Sequence, residues 1–252
     1  KTFFLNTGFL IFLTVFGLLS SMSAVYNKTF FSEPSSVFFF LILIYFLKKF
    51  EDCNSYYSII FSAVSAGIIV NIKIIYILLI PFIAIYLFFC RNVGTKKKIF
   101  LYILVFLFFS IFLSSFSALY NYIRFGNIFK SGYMLKHPSG AEHGFITPFY
   151  IGFYGMLLSF GKSVFIYNPL LILVFFLKHF LPENYKKIFS FSIIIALFHI
   201  LIFSKWIYWE GGIGVWGPRF LLPVIPLLIM FIIMSYNNFN IKIKVVFWIL
   251  SG

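Results

Sequence analysis

An all-α, polytopic transmembrane helical bundle is the fold class that this sequence predicts, and three observations predict it. Residues of the AVILMFWYC set make up 62% of the 252 residues and charged residues only 10%, against about 25% charged in a soluble domain. The apolar residues come in blocks of roughly 16 to 21, the length that crosses about 30 Å of hydrocarbon. The clusters between the blocks are short, polar and rich in lysine and arginine. Inside lipid each backbone N–H and C=O must be satisfied within its own segment, so such blocks must be helices, and none alternates as a barrel strand does.

Taken in order, the blocks give about eight full spans, at residues 5–24, 35–47, 57–72, 74–90, 99–119, 163–178, 188–205 and 220–236, with a partial ninth starting near 243. The first runs about twenty residues without a small-residue cleavage pattern, and so reads as a span rather than a signal peptide. Residues 148–160 are apolar but too short to span comfortably. They predict an external interfacial or re-entrant helix, with Gly152, Gly155 and Gly161 permitting close approach of neighbours. No internal repeat or second domain is visible, so residues 1–252 read as a single transmembrane domain. A start at Lys1 rather than Met, and an end at Gly252 within an apolar block, are what a piece of a longer protein would show.

The net charge of +14 would raise the question of nucleic acid in a soluble protein. Here the charges sit between spans, and they orient the chain instead. Alternating the connections places Lys1, Lys48, Lys49, Arg91, Lys96, Lys97, Lys98, Lys178, Lys186, Lys187, Lys242 and Lys244 on one side. Lys28, Lys73, Arg124, Lys130, Lys136, Lys162, Lys205 and Arg219 fall on the other. Twelve against eight makes the first side cytoplasmic by the positive-inside rule. Cys53 and Cys90 then lie at cytoplasmic block ends, where reduced thiols are expected.

Of the six acids, Glu51, Asp52 and Glu183 fall among cytoplasmic lysines, while Glu33, Glu142 and Glu210 fall outside in segments dense with Gly, Pro, aromatic and basic residues. Ser32-Glu33-Pro34 marks an external helix start. Glu33 is either a capping acid, stabilising by about 0.3–1 kcal/mol beside the helix dipole, or a carboxylate facing an aqueous cavity. Lys73 separates two apolar stretches that read as a tight helical hairpin. It either snorkels to the interface or holds the phosphate of a lipid-linked substrate.

Trp206-Ile207-Tyr208-Trp209-Glu210-Gly211-Gly212-Ile213-Gly214-Val215-Trp216-Gly217-Pro218-Arg219 is the most informative stretch. Its glycines let backbone approach an anion closely, and the guanidinium fork of Arg219 suits a phosphate. Trp206 and Trp216 fit an ordinary interfacial belt. The external stretch from Tyr120 to Lys162 adds Arg124, Tyr133 and Lys162 as candidate substrate contacts. Its His137, Glu142 and His143 lack a specific ligand spacing, so a divalent metal there is only a weak expectation. His199, inside a span, reads as an interhelical hydrogen-bonding group. Asn27-Lys28-Thr29 matches a glycosylation sequon close to the membrane surface.

Four stretches together resemble the GT-C superfamily of membrane glycosyltransferases, in particular bacterial relatives of family 39, the protein O-mannosyltransferase and aminoarabinose transferase group. Tyr26 to Pro34 looks like the family's acidic motif, and Gly67 to Pro81 like its next hairpin with Lys73 in the basic position. Asn121 to Tyr133 with Gly161 to Pro169 is similar to the connecting external segment, and Trp206 to Pro226 to a Gly-Pro-Arg segment. The resemblance implies a polyprenyl-phosphate sugar as donor, drawn partly from membrane lipid, a glycan, lipid or protein acceptor outside, and residence in the bacterial cell membrane. It implies Glu33 as the catalytic carboxylate and Lys73, Arg124, Tyr133, Lys162, Trp209, Glu210 and Arg219 as substrate-binding residues. Relatives carry a general base in an early external loop, which this chain would hold upstream of Lys1. A transporter of lipid-linked saccharide, or a noncatalytic membrane assembly subunit, would use the same cations without chemistry.

Overall fold

The computed structural model describes residues 32–90, 95–128, 144–212 and 215–251. Among these the chain is all-helical, with no strand. The expected span at 5–24, the sequon and the residues from 129 to 143 lie outside the described residues. The fold divides into two compact units, one of residues 1–37 with 145–252 and the other of residues 38–144.

The second of these contains most of α1 (Ser32–Cys53), then α2 (Tyr56–Ile72), a 3-10 turn at Ile74–Leu78, α3 (Leu79–Phe88) and α4 (Lys96–Phe125). Asn54, at φ +53°, ends α1 in the left-handed conformation that asparagine tolerates, and Gly126, at φ +70°, does the same for α4. Aromatic contacts fasten α1: Phe46 stacks on Phe61 at 4.9 Å, Phe40 meets Tyr76 edge-on at 5.3 Å, and Phe50 meets Tyr102 at 4.9 Å.

The tightest helix pair is α2 with α4, which run parallel. Tyr56 lies beside Tyr102 at one end, with ring centroids 4.6 Å apart, and near the other the Asn71 amide donates to the Leu113 carbonyl at 2.8 Å. Gly67 makes this approach possible, since a methyl group there would sit 2.5 Å from Leu113 Cβ and 3.0 Å from the Ser110 carbonyl oxygen. The hydroxyls of Ser62, Ser65, Ser110 and Ser114 donate to carbonyls of their own helices, which satisfies them without partners across the interface. The tight hairpin expected around Lys73 is not the packing found: α2 turns its glycine face to α4, and α2 and α3 barely touch.

The other unit contains α5 (Phe149–Leu157), α6 (Val164–Tyr167), a 3-10 segment Pro169–Phe176, α7 (Leu177–Phe180), α8 (Glu183–Phe203), a 3-10 turn Arg219–Leu221, α9 (Ile225–Ser235) and α10 (Ile241–Ser251). Its core includes Phe203 stacked on Phe220 at 4.8 Å and Phe189 edge-on to Phe231 at 5.3 Å, and the Trp248 indole donates to the Tyr236 hydroxyl at 3.0 Å. Proline divides two of the expected spans. Asn168, preceding Pro169, is driven to φ −144°, which separates α6 from the 3-10 segment, and that segment runs directly into α7, so residues 163–178 are not one regular helix. Pro223 and Pro226 likewise delay the regular part of the 220–236 block until Ile225.

Among the described residues two helices are long and apolar enough to cross a membrane, Lys96–Phe125 and Glu183–Phe203. In the most apolar stretch of α4 only 22% of residues are buried within the chain, and Phe100, Phe108, Ile111, Phe112 and Phe116 stand exposed along it. The apolar blocks at Tyr56–Ile72, Ile74–Phe88, Pro169–Phe180 and Ile225–Asn238 form shorter helices. At 17 residues α2 is about 26 Å long, just short of a hydrocarbon core.

Helix propensity and packing disagree about Gly67, which makes it a clean test. Alanine should stabilise an isolated helix by about 0.5–1 kcal/mol, whereas overpacking against Leu113 and the Ser110 carbonyl costs about 1–3 kcal/mol. Gly67→Ala is expected to lower the unfolding temperature of the detergent-solubilised chain, and a rise would contradict the close α2–α4 contact.

Candidate functional site

In the unit formed by residues 1–37 and 145–252, the loop from α8 to α9 is shaped by backbone that only glycine adopts freely. Gly211, Gly212 and Gly217 sit at φ +95°, +99° and +64°. Gly211 donates its amide to the Tyr208 carbonyl at 2.8 Å. Its empty side-chain position faces Val215 Cγ1 and the Arg219 Cβ, at 2.8 and 3.2 Å from where a methyl would stand. The glycines thus fold the loop back on the stem of Arg219. Arg219 itself opens a three-residue 3-10 turn rather than a long helix. A turn this short carries no helix-end field to speak of, so the guanidinium charge carries the electrostatics.

Opposite Arg219 stands Glu33, in the first turn of α1. The two form an ion pair with Nε 3.3 Å from Oε1, the Glu33 side chain 2% exposed and that of Arg219 17%. This is more than a helix cap: the acid is buried and its charge is balanced by a residue far along the chain. The Arg219 guanidinium also lies over the Phe220 ring, 5.0 Å from its centroid.

Lys162, in the turn between α5 and α6, donates its ammonium to the Val215 carbonyl of the same glycine loop. Its pKa is held below the ordinary lysine value. Desolvation is the main cause; Glu210 opposes the shift and Arg219 adds to it. Four of the predicted residues, Glu33, Lys162, Glu210 and Arg219, thus converge on one electrostatic neighbourhood.

Trp209 packs against α5. Its indole fills the space over Gly155, where a methyl group would overlap it, and the Ser204 carbonyl occupies the corresponding place over Gly152. Thr147 fastens the same region, its amide and hydroxyl donating at 3.1 Å to the Lys205 and Trp206 carbonyls. Gly152 and Gly155 are therefore the close-approach positions foreseen in the sequence, and Gly161 is not, since its surroundings are open. His199 is buried in α8, but the bond seen at its Nδ1 goes to the Ile195 carbonyl of its own helix at 2.8 Å, not to a neighbouring helix.

Lys73 and Arg124 belong to the other unit, residues 38–144. There they line a cavity of about 500 Å³ together with Asn71, Ser117, Tyr120 and Asn121. Ser117, Tyr120, Asn121 and Arg124 follow the i, i+3, i+4, i+7 pattern of one helix face, a signal that could have grouped them from sequence. Tyr133, His137, Glu142 and His143 lie outside the described residues. Among the described residues no group of three or more His, Cys, Asp or Glu side chains could hold a metal ion, and neither Cys53 nor Cys90 is in a disulfide. Comparison with protein-family models, curated proteins and solved structures finds no match for the chain.

The buried ion pair gives a stability test that separates it from a simple cap. Glu33→Gln leaves Arg219 uncompensated and is expected to cost about 3 kcal/mol, against about 0.3–1 kcal/mol for a lost helix-end charge. The double substitution Glu33→Leu with Arg219→Met should recover much of that loss. Chemical unfolding of the three variants in one detergent measures both values.

Proposed function

We propose that this chain is a multi-pass membrane glycosyltransferase of GT-C type that moves a sugar from a polyprenyl-phosphate donor to an acceptor on the non-cytoplasmic face. The observation that carries the reading is the gathering of Glu33, Lys162, Glu210 and Arg219 around a glycine-shaped loop, drawn from distant parts of the sequence. The apolar faces left exposed on α4 and elsewhere support a lipid surrounding, as do blocks of apolar sequence that recur between basic connections.

In this reading Arg219 and Lys162 hold the donor phosphate, the first through a fork and the second as a point charge. A phosphate arriving at Arg219 competes with Glu33 for the guanidinium and releases the carboxylate toward the acceptor. Glu33 takes the proton of the acceptor hydroxyl as its oxygen bonds to the anomeric carbon. The bond from that carbon to the phosphate oxygen breaks, and the lipid phosphate departs with the electron pair, stabilised by the two cations. Lys162, being partly desolvated, offers its charge at little further cost in lost hydration.

Two experiments test the proposal. With the intact protein and a lipid-phosphate sugar, Arg219→Lys should weaken donor binding although the charge is kept, and Arg219→Ala should weaken it more. Glu33→Gln should lower transfer by about a hundredfold or more in chain that remains folded. Transfer within about threefold of the parent would remove Glu33 from the chemistry, and a donor that binds and crosses the bilayer unconsumed would make the protein a transporter.

The orientation is tested separately by cysteine accessibility. Probes at positions 53 and 95 should react from the cytoplasmic side, and probes near 140 and 212 from the outside. The reverse pattern would invert the topology and place Glu33 and Arg219 on the wrong face for an external acceptor.

A further inference from the structure

Another group of cations gathers at the start of α8, about 30 Å along that helix from the glycine loop. Four helix ends meet there: the last residues of α7 and α9 and the first of α8 and α10. Leu181 and Pro182 alone separate α7 from α8. The turn after α9 is tied to α7, since the Asn238 amide donates to the Phe180 carbonyl at 2.7 Å and the Phe180 ring meets Phe239 edge-on at 5.4 Å. These elements carry Lys178, Lys186, Lys187, Lys242 and Lys244.

The sequence contains too few acids to neutralise them. Residues 1–37 and 145–252 hold three, Glu33, Glu183 and Glu210. Glu33 pairs with Arg219 and Glu210 acts on Lys162, both at the far end of α8. Glu183 is left for five lysines, and its carboxylate meets Lys186. Whatever ion pairs form within the unit, this end therefore keeps a net charge of +4 (five less one). Helix capping does not explain the placement. Lys186, Lys187, Lys242 and Lys244 stand near the N-terminal ends of α8 and α10, where the helix dipole favours anions. The start of α10 is capped by the neutral Asn240, whose side-chain carbonyl accepts from the Ile243 amide at 3.0 Å.

The patch has a fixed floor. Phe239 is 5% exposed and lies between Phe180 and Tyr236. The Tyr236 hydroxyl accepts from the Trp248 indole at 3.0 Å, and its ring carries the Lys244 ammonium 5.3 Å from the centroid. Lys178 and Lys242 are exposed. Aromatic rings beneath a layer of ammonium groups match the profile of a membrane surface, apolar toward the acyl chains and charged toward the headgroups.

We propose that this end of the unit docks on anionic phospholipid headgroups in the leaflet it faces, the cytoplasmic one in the orientation read from the sequence. Each lysine near an anionic leaflet strengthens such binding by about fivefold. The docking needs neither a sugar donor nor the pair of Glu33 and Arg219.

The test uses the full chain in phosphatidylcholine nanodiscs doped with phosphatidylglycerol, with the lipids retained by the chain counted by native mass spectrometry. The parent should keep phosphatidylglycerol in preference to phosphatidylcholine of the same acyl length, and the preference should fall between about 0.1 M and about 1 M salt, as the screening length shortens from about 10 to about 3 Å. Lys242→Gln with Lys244→Gln should lower it by about 25-fold, and Lys178→Gln alone by about fivefold, with the thermal unfolding of each variant unchanged. Lys96→Gln with Lys97→Gln, which removes as much charge from the start of α4, should lower it far less. Arg219→Ala should keep the preference, and its loss there would assign the retained lipid to the glycine loop and overturn the proposal. Equal losses from the two lysine pairs would show a diffuse response to total charge, and equal retention of the two lipids by the parent would show no docking; either result also overturns it.

Discussion

Where helices carry phenylalanine, leucine and isoleucine on every side, burial of apolar area cannot choose which faces meet, because almost any face would serve. Shape and sparse polar groups must choose instead. In the α2–α4 pair the choice falls to Gly67, which lets two backbones approach, and to Asn71, whose amide joins Gly67 and Leu113 while Ser117 closes the network. In the other unit Gly152 and Gly155 do the same for α5, receiving the Ser204 carbonyl and the Trp209 indole. Each of these contacts is short-ranged, yet within each unit they set which helix faces meet.

Arg219 and Arg124 handle charge differently. Arg219 is partnered by a buried acid, so a ligand there must compete with Glu33, and occupancy is tied to a change of partner. At Arg124 the partner is a neutral phenol, which orients the guanidinium without neutralising it. The first arrangement suits a step in which a group must be released on arrival of substrate. Lys162 lies between these extremes, with a neutral carbonyl for its hydrogen bond and charges of both signs acting on it.

Much of the helical layout was legible because apolar block length reads directly as helix, and the described helices fall on the predicted blocks. Interruptions were less legible. Pro169 was visible, but that the block would break between α6 and the 3-10 segment depended on the non-helical backbone of Asn168. Charge signs and glycine density pointed to the Glu33, Lys162, Glu210 and Arg219 neighbourhood. The direct pairing of Glu33 with Arg219 was not legible, since nothing local links residues so far apart. The packing of Trp209 over Gly155 was not legible either, since the two lie 54 residues apart (209 less 155).

The parallel pairing of α2 and α4 has a consequence for biosynthesis. The Leu113 carbonyl and the Ser117 hydroxyl follow Asn71 by 42 and 46 residues. At about 5–20 residues per second of translation, the amide must wait roughly 2–9 s for its partners to be made. Arg219 follows Glu33 by 186 residues (219 less 33), a delay of roughly 9–37 s. During those intervals the Asn71 amide awaits Leu113 and Ser117, and Glu33 awaits Arg219. Assembly of both contacts is thus a matter of order in time as well as of fit.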